Sequence, residues 1–241
     1  MALLNCDFHI HSCLSPCGDD DMTPNNIVNM ALLNGLDVIA LTDHNTCGNC
    51  RAVMKVGEEN GLIVIPGMEL TTSEEIHVTV IFPDIDRAEA FDKYVASKRM
   101  PVKNRPDIYG NQFFMDASDN VIGEEGDLLI LATEIGLYDV VPLAKEFGGL
   151  ATLAHIDRHS NGVLGVLGDI DKDMGFFRAE ITPKADVANY DSRFPFLSFV
   201  KSSDAHDLVT IAEAWNCSVI NVKERNVETV LRHLESGADG I

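Results

Sequence analysis

The chain has no hydrophobic run that approaches the ~20 residues a membrane helix needs. The stretch ALLNGLDVIALT is interrupted by Asn34, Gly35 and Asp37. The first residues, MALLNCDFHI, contain neither a basic segment nor a small-residue cleavage site, so they do not read as a signal peptide. A cytoplasmic location and no membrane partner are the resulting expectations. Basic residues are scarce: 18 Lys and Arg stand against 38 Asp and Glu, a net charge of −20. Such a surface lacks the positive footprint of a nucleic-acid binder, so no long nucleic acid is expected as a partner, although a short oligonucleotide stays open. Internal repeats and low-complexity segments are also missing. The six cysteines are too few, in a domain this large, to serve as a disulfide framework.

What is present is ordinary core material. The chain has 241 residues, is 46% hydrophobic and has a mean hydropathy of +0.04. This suits one domain over residues 1–241, with room for an insertion. Apolar runs at 3–11, 36–44, 62–70, 75–82, 149–155, 177–181, 199–206 and 217–222 read as strands. Segments 23–35, 48–60, 84–98, 138–149 and roughly 225–236 read as helices. Thr23 suits an N-cap, Pro24 the first helical position and Gly35 the stop, and a late start or a kink is expected near Pro142. Strands alternating with helices imply βα units and a parallel sheet, and this many strands suit a barrel. Residues 99–137 break the alternation. QFFMDASDNVIGEE reads as a hairpin turning near Asp119-Asn120, inside a probable insertion.

The histidines are not scattered. His9 and His11 are in the first strand, His44 ends the second, His77 lies in EIHVTV, His155 ends TLAH and His206 ends SDAH. Only His159 and His233 fall elsewhere. In a barrel the carboxyl ends of the strands gather at one face, where active sites form. Residues i and i+2 of a strand share a side, so His9 with His11, and Asp204 with His206, can approach a metal together. Glu69 adds a carboxylate at a third strand end. A lone strand-end histidine is usually a hydrogen-bonding residue; four separate strand ends of this kind are a pattern.

Together the stretches DFHIHS, TP…A…GLDVIALTDHN, VIPGMEL, IHV, LAH and SSDAH, in this order, resemble the PHP (polymerase and histidinol phosphatase) superfamily. The resemblance spans residues 7–206. It implies a distorted (β/α)7 barrel of the PHP type and two or three divalent metal ions. The implied ligands are His9, His11, Glu69, His77, His155, Asp204 and His206, with His44 and an Asp after the first strand completing a third position. The family commonly carries Ser-Asp-Gly there. This chain reads SCLSPCGDDDMTP, and counting back from Pro24 selects Asp19, with Asp20 and Asp21 as competitors. Asp43 and Asp7 are expected to orient ligands, as carboxylates do for metal-bound imidazoles.

The implied activity is hydrolysis of a small phosphorylated or nucleotide-like substrate by a metal-activated hydroxide in a di- or trinuclear site. Ser12 is no triad serine, since nothing around it resembles a nucleophile elbow. Arg158 is the first candidate for holding phosphate, ahead of Lys201, Arg193 and His159. Mixed His and carboxylate ligands fit Mn, Fe or Zn. Two other readings stand beside this one: hydrolysis of a non-phosphate bond, and a metal-stabilised binding module without catalysis. Cys13, Cys17, Cys47 and Cys50 follow the first two strands; four idle thiols and a separate thiolate-bound metal are both open, the first favoured. The acidic run Asp169, Asp171, Asp173, Glu180 is no calcium loop, because Met174 holds its glycine position. The glycines 162, 165 and 168 precede no Gly-Lys-Ser/Thr and form no phosphate loop. No feature specifies an oligomeric state.

Overall fold

The apolar runs become strands and the amphipathic runs become helices over residues 1–237, which the computed structural model describes; residues 238–241, the end of the expected 1–241 domain, lie outside the described residues. In chain order the strands are β1 (Ala2–Ile10), β2 (Val38–Leu41), β3 (Ile63–Thr71), β4 (His77–Ile81), β5 (Phe113–Met115), β6 (Val121–Glu124), β7 (Leu150–Leu153), β8 (Arg178–Ile181), β9 (Ser198–Lys201) and β10 (Ser218–Val222). The helices are α1 (Pro24–Leu33), α2 (Cys50–Asn60), α3 (Ile85–Ala96), α4 (Pro106–Tyr109), α5 (Leu137–Glu146), α6 (Val163–Leu167), α7 (Ala188–Asp191) and α8 (Val227–Glu235). No helix among the described residues is long and apolar enough to cross a membrane.

Eight strands form one sheet in the order β10-β1-β2-β3-β4-β7-β8-β9. The sheet curls until its ends nearly meet. Ile10, at the end of β1, bridges in parallel to Ala205, beyond β9. The Ser218 hydroxyl of β10 takes up both main-chain groups of Lys201 on β9, accepting from its N–H at 2.8 Å and donating to its carbonyl at 3.0 Å. The result is a mixed α/β fold with a nearly closed barrel, as the distorted (β/α)7 expectation required.

The parallel expectation fails for two strands. β4 runs antiparallel to both β3 and β7, and β10 runs antiparallel to β1. Residues 72–76 alone join β3 to β4, whereas a parallel crossover needs about a dozen residues. The reversal matters for the site. A strand read over 75–82 places His77 in its interior. The strand instead begins at His77 and runs backwards, so His77 lies at the face where the parallel strands end.

Two apolar clusters hold the barrel. The larger lies between the sheet and the helices, with Ile27, Val28 and Ala31 of α1, Val53 and Val56 of α2, Ala88, Phe91 and Val95 of α3, and Leu137, Val140 and Ala144 of α5. Their i, i+3, i+4 spacing is the one-sided pattern of a helix covering a sheet. The smaller cluster includes Leu4, Cys6, Phe8, Val38, Ala40, Ile65, Val200 and Ile220, joined by Val230, Leu231 and Leu234 of α8. Val38 and Leu150 begin β2 and β7, so this cluster fills the amino end of the barrel, which α8 caps. The carboxyl end is left for polar side chains. Each fully buried Leu, Ile or Phe contributes roughly 1.5–3 kcal/mol relative to exposure.

Residues 99–137 carry the β5–β6 hairpin, with Asp119 in its turn at φ 59°. The segment lies over the loops that follow β1 and β2. Phe113 N–H donates to the Cys13 carbonyl at 3.0 Å. The Asn49 amide donates to Phe113 O at 3.0 Å and accepts from Met115 N–H at 2.9 Å. Gly48 permits this approach, since a Cβ there would lie 2.4 Å from Phe114 Cε1. Asn45, at φ 51°, is the second pin. Its amide donates to Leu129 O at 2.7 Å and Leu131 O at 2.9 Å, and accepts from Thr71 N–H at 2.9 Å. Asn45→Ala therefore removes the partner of three main-chain groups and puts in a left-handed position a residue less tolerant of it than asparagine. We expect a loss on the order of 3 kcal/mol in urea unfolding, with faster amide exchange at 129–131; wild-type exchange there would refute the pinning role.

Candidate metal centre

The site begins with an irregularity in β1. Leu4, Cys6 and Phe8 point into the barrel, and strict alternation would turn His9 away. The β1–β2 register shifts between Asp7 and Ile10. Such a bulge re-aims the following side chains, and His9 and His11 then both face the interior.

Neighbours fix the orientation of both rings. His9 Nδ1–H donates to Glu180, at 3.0 and 3.1 Å from its two oxygens. The Ser15 hydroxyl donates to Asp43 Oδ1 at 2.7 Å, so it accepts from His11 Nδ1–H at 2.9 Å. Each ring thus presents Nε2 to the centre, the arrangement a metal-binding imidazole requires. Asp43 also takes the Ser12 N–H and hydroxyl, both at 2.7 Å, and is fully buried. It acts on His11 through Ser15 and makes no contact with the imidazole cluster itself. Asp7 likewise supports at one remove: it accepts from Ser203 N–H at 3.0 Å and its hydroxyl at 2.6 Å, and from Ala212 N–H at 3.3 Å. That anchors to β1 the loop carrying Asp204 and His206. Burial pushes the Asp7 carboxyl up to about 6, against these hydrogen bonds.

Six further side chains converge from other elements. Glu69 comes from β3, and His44 follows β2, where it bridges to Glu69 through the backbone. His77 opens β4. His155 follows β7, and Asp204 and His206 lie three and five residues past the end of β9. The i, i+2 argument for Asp204 and His206 therefore fails as a strand argument: the Ile10–Ala205 bridge between them holds that loop in place. His155 at φ 27° and Asp204 at φ 52° stand in sparsely populated backbone conformations, the kind of strain that collects at functional sites.

Glu69 is at the middle. Its Oε1 lies 2.8 Å from His77 Nδ1, 3.0 Å from His155 Nε2 and 3.2 Å from His9 Nε2. Its Oε2 lies 3.0 Å from His44 Nδ1 and 3.4 Å from His11 Nε2. Asp204 Oδ1 lies 3.1 Å from His11 Nε2 and 3.3 Å from His9 Nε2. Three groups result whose donor atoms lie within 4.8 Å of one another: His9, His11, Glu69 and Asp204; His44, Glu69 and His77; His11, His44 and His206.

The electrostatics show what the cluster lacks. Burial pushes the Glu69 carboxyl up, but His77, His9 and His44 hold it well below its ordinary range. Burial also opposes ionisation of Asp204, and His9 and His11 overcome it. His9 is pushed down by burial, yet Glu180, Asp204 and Glu69 hold it well above its usual value. His44 is raised to about 10 against burial, by Glu69 and Cys17. His11 goes the other way, lowered by burial and by His206. Glu69 Oε2, His44 Nδ1 and Asp204 Oδ1 are buried and make no hydrogen bond, although each faces a site neighbour at 3.0–3.3 Å. Atoms at contact distance without hydrogen-bond geometry point at a shared third position. Divalent cations fit that donor set.

The third-position carboxylate is not where the sequence count put it. Asp19 is exposed and meets His206 only through its backbone, its N–H donating to the His206 carbonyl at 2.9 Å. The Asp20 carboxylate accepts instead from Asn111. Cys17 is the residue of this loop whose side chain reaches the cluster. Its Sγ lies 3.2 Å from His44 Nε2, and burial raises the thiol while His206 and His44 pull it down to about 6. Composition counting missed this because the loop was searched for carboxylates. The signal was Cys17-Gly18 standing where the pattern has Asp-Gly. Glu180, which the sequence offers only within a rejected calcium loop, also reaches the cluster, and FRAEI, with Arg178 beside it, gives no local sign of that contact.

The four cysteines do not share one site. Cys13 reaches Phe113 O at 3.9 Å, Cys47 reaches Asp92 at 3.6 Å and Cys50 reaches the carbonyls of Leu41 and Gly67. Of the candidate phosphate holders, Arg158 is at the centre, with Nη1 2.5 Å from Asp204 Oδ2. Arg193 is held by Asp169 and the Gly168 carbonyl, Lys201 lies in β9, and His159 is exposed. A cavity of about 150 Å³ opens over the cluster, with Cys17, His44, His77, Ile130, Arg158 and Asp204 in its walls.

A nearly closed barrel with buried histidines and carboxylates gathered at its carboxyl face defines a class of metal-binding barrel. Residues 7–171 match the PHP domain family, and the chain belongs to it. An uncharacterized protein of Methanocaldococcus jannaschii is 34% identical over 79 residues, covering 30% of this chain and 46% of its own length. The lesion-specific endonuclease Q of Pyrococcus furiosus superposes with TM-score 0.71 at 17% identity, over 98% of this chain and 57% of its own. The chain thus spans about half the length of both. An Endonuclease Q complex with a 27-mer duplex carrying an abasic lesion at the active site gives the same TM-score at 16% identity. A sulfate-bound amidohydrolase of Chromobacterium violaceum matches over 96% of both chains at TM-score 0.59 and 16% identity. The expectation against long nucleic acid is corrected here. Endonuclease Q, part of which shares this fold, is seen in complex with a duplex, so a net charge of −20 is no ground for excluding such a partner.

A cation needs deprotonated imidazoles, and Glu180, Asp204 and Glu69 raise His9 while Glu69 and Cys17 raise His44, so divalent-metal affinity of the stripped protein should rise with pH through neutrality. Glu180→Gln, which weakens the hold on His9, should cost about 10- to 100-fold in affinity at fixed pH. Calorimetric titration reads both; pH-independent binding, or an unchanged variant, would contradict this account.

Proposed function

We propose that the chain is a metal-dependent hydrolase of phosphoesters. His9, His11, Glu69 and Asp204 would hold one divalent ion, Glu69, His77 and His155 a second, and His44, His206 and Cys17 a third. The observation that carries this reading is Glu69, a buried carboxylate with imidazole donors facing both of its oxygens, as a bridge between two cations requires. Bound divalent ions supply Lewis acidity and a lowered pKa for water, which suffices for hydrolysis near neutral pH without a side-chain nucleophile.

The chain's own residues do the rest. Arg158 projects over the cluster and is placed to take non-bridging phosphoryl oxygens, displacing its contact with Asp204. Glu180 and the Asp43–Ser15 pair hold His9 and His11 in the tautomer that leaves Nε2 free. The segment 99–137, which we read as an insertion, contributes Ile130 to the cavity wall and shields the cluster from water on that side. Mn, Fe and Zn suit the nitrogen and oxygen donors alike. A Cys17 thiolate tilts the third position toward Zn or Fe.

Turnover is expected with a phosphoester panel that includes a chromogenic ester, mononucleotides and a duplex with an abasic site, in the presence of Mn, Zn or Fe. Glu69→Gln should lower it about a hundredfold or more. Cleavage of amides but of no phosphoester would move the activity to the other hydrolase class; no turnover with any metal would leave a binding module. Cobalt-loaded protein should show a sulfur-to-cobalt charge-transfer band that Cys17→Ser abolishes; its absence from the wild type would remove Cys17 from the ligand set.

A further inference from the structure

Arg158 faces two spaces. One is the cavity over the ligand cluster; the other is a groove of about 800 Å³ running from Arg158 between the end of α1 and residues 208–216. A group held at Arg158 has this groove as its continuation. We infer that the groove is a nucleobase subsite in which the base stacks on Trp215. The inference rests on the phosphoesterase reading only for calling the base part of a substrate.

Four observations favour a base over other occupants. First, Trp215 is the single tryptophan of the chain and is 80% exposed, and Val209 is 91% exposed. Large apolar side chains left open beside a cavity mark a binding surface. Second, the floor is rigid: Ser203 and Ala212 are tied through their N–H groups to the buried Asp7 carboxylate. An exposed indole on the lining of a groove with fixed walls suits a planar ring. Third, Arg158 and Lys184 outnumber the one carboxylate of the lining, Glu213, in a protein of net charge −20, and this local excess complements a phosphate attached to the ring. Fourth, the Asn34 and Asn216 amides offer donors and acceptors of the kind that pair with base edges, and Asn34 is oriented by its bond to Ile211 O at 2.9 Å. The volume is that of an ordinary small-molecule site. Bare sugar phosphate leaves the indole unused.

Trp215 is also the probe. Metal-loaded protein is titrated with a nucleoside 5′-phosphonate, which has no ester to cleave, while tryptophan emission is followed; methylphosphonate and ribose are controls. Saturable quenching by the nucleoside compound alone is the expected result. In a fluorescence-anisotropy assay with a labelled nucleoside phosphonate, Trp215→Ala should weaken binding about tenfold and Trp215→Phe restore it, on the scale of base–aromatic stacking. Val209→Asp, at a second exposed position, should weaken it too. No quenching, equal quenching by the controls, or wild-type affinity in Trp215→Ala overturns the subsite. Because the readout is binding, the two readings fail separately. Quenching in a protein that hydrolyses no phosphoester removes the hydrolase and keeps the groove. Phosphoester turnover without quenching does the reverse.

Discussion

Five imidazoles, those of His9, His11, His44, His77 and His155, share one buried space with the carboxylates of Glu69 and Asp204. Buried charge is tolerated only when it is paired or bound to metal. Here the two sets of groups support each other: the carboxylates raise His9 and His44, and the histidines lower Glu69 and Asp204 against burial. The barrel around this cluster is arranged to hold seven groups that would separate if any were free to turn. Removing Glu69 would undo most of the arrangement, since five histidines lie within contact distance of its two oxygens.

Three departures from a regular barrel serve that one end. The register shift in β1 turns His9 inward beside Phe8, so apolar packing and the ligand cluster occupy successive layers of the same strand. The reversal of β4 delivers the first residue of a strand to the face where other strands finish. The loop after β9 is fastened at Ala205 to β1 and through Ser203 to Asp7, which fixes Asp204 and His206 without a strand. Regularity is kept at the amino end, where α8 closes an apolar interior. The division is physical: van der Waals packing tolerates ideal geometry, whereas converging ligands need directions that ideal strands do not provide.

Charge shows why averages mislead. A net charge of −20 argues against polyanion binding when spread over a sphere, yet cations at the mouth act at short range and ions in the cluster would act at shorter range still. Membership of the PHP family, the buried ligand set and the groove beyond Arg158 together make a phosphoester with a sizeable substituent the reading that uses the most of the molecule.

By itself the sequence determined the eight barrel strands, the five longer helices and the identity of nearly all the clustered residues, but not the short α4, α6 and α7. Hydrophobic period and strand-end histidines are local properties, and a barrel brings strand ends together whatever the details; His9, His11, His44, Glu69, His77, His155, Asp204 and His206 were legible for that reason. The tertiary structure decided what depends on direction and on distant partners. Cys17-Gly18 is a local hint, but which side chain turns toward His44 is decided by the path of the loop past Pro16, which depends on packing against residues 99–137. Nothing in FRAEI announces that Glu180 meets His9 across the barrel, 171 positions away. Strand reversal, the bulge in β1 and the groove under Trp215 are likewise products of closure: they arise where segments remote in sequence compete for the same space.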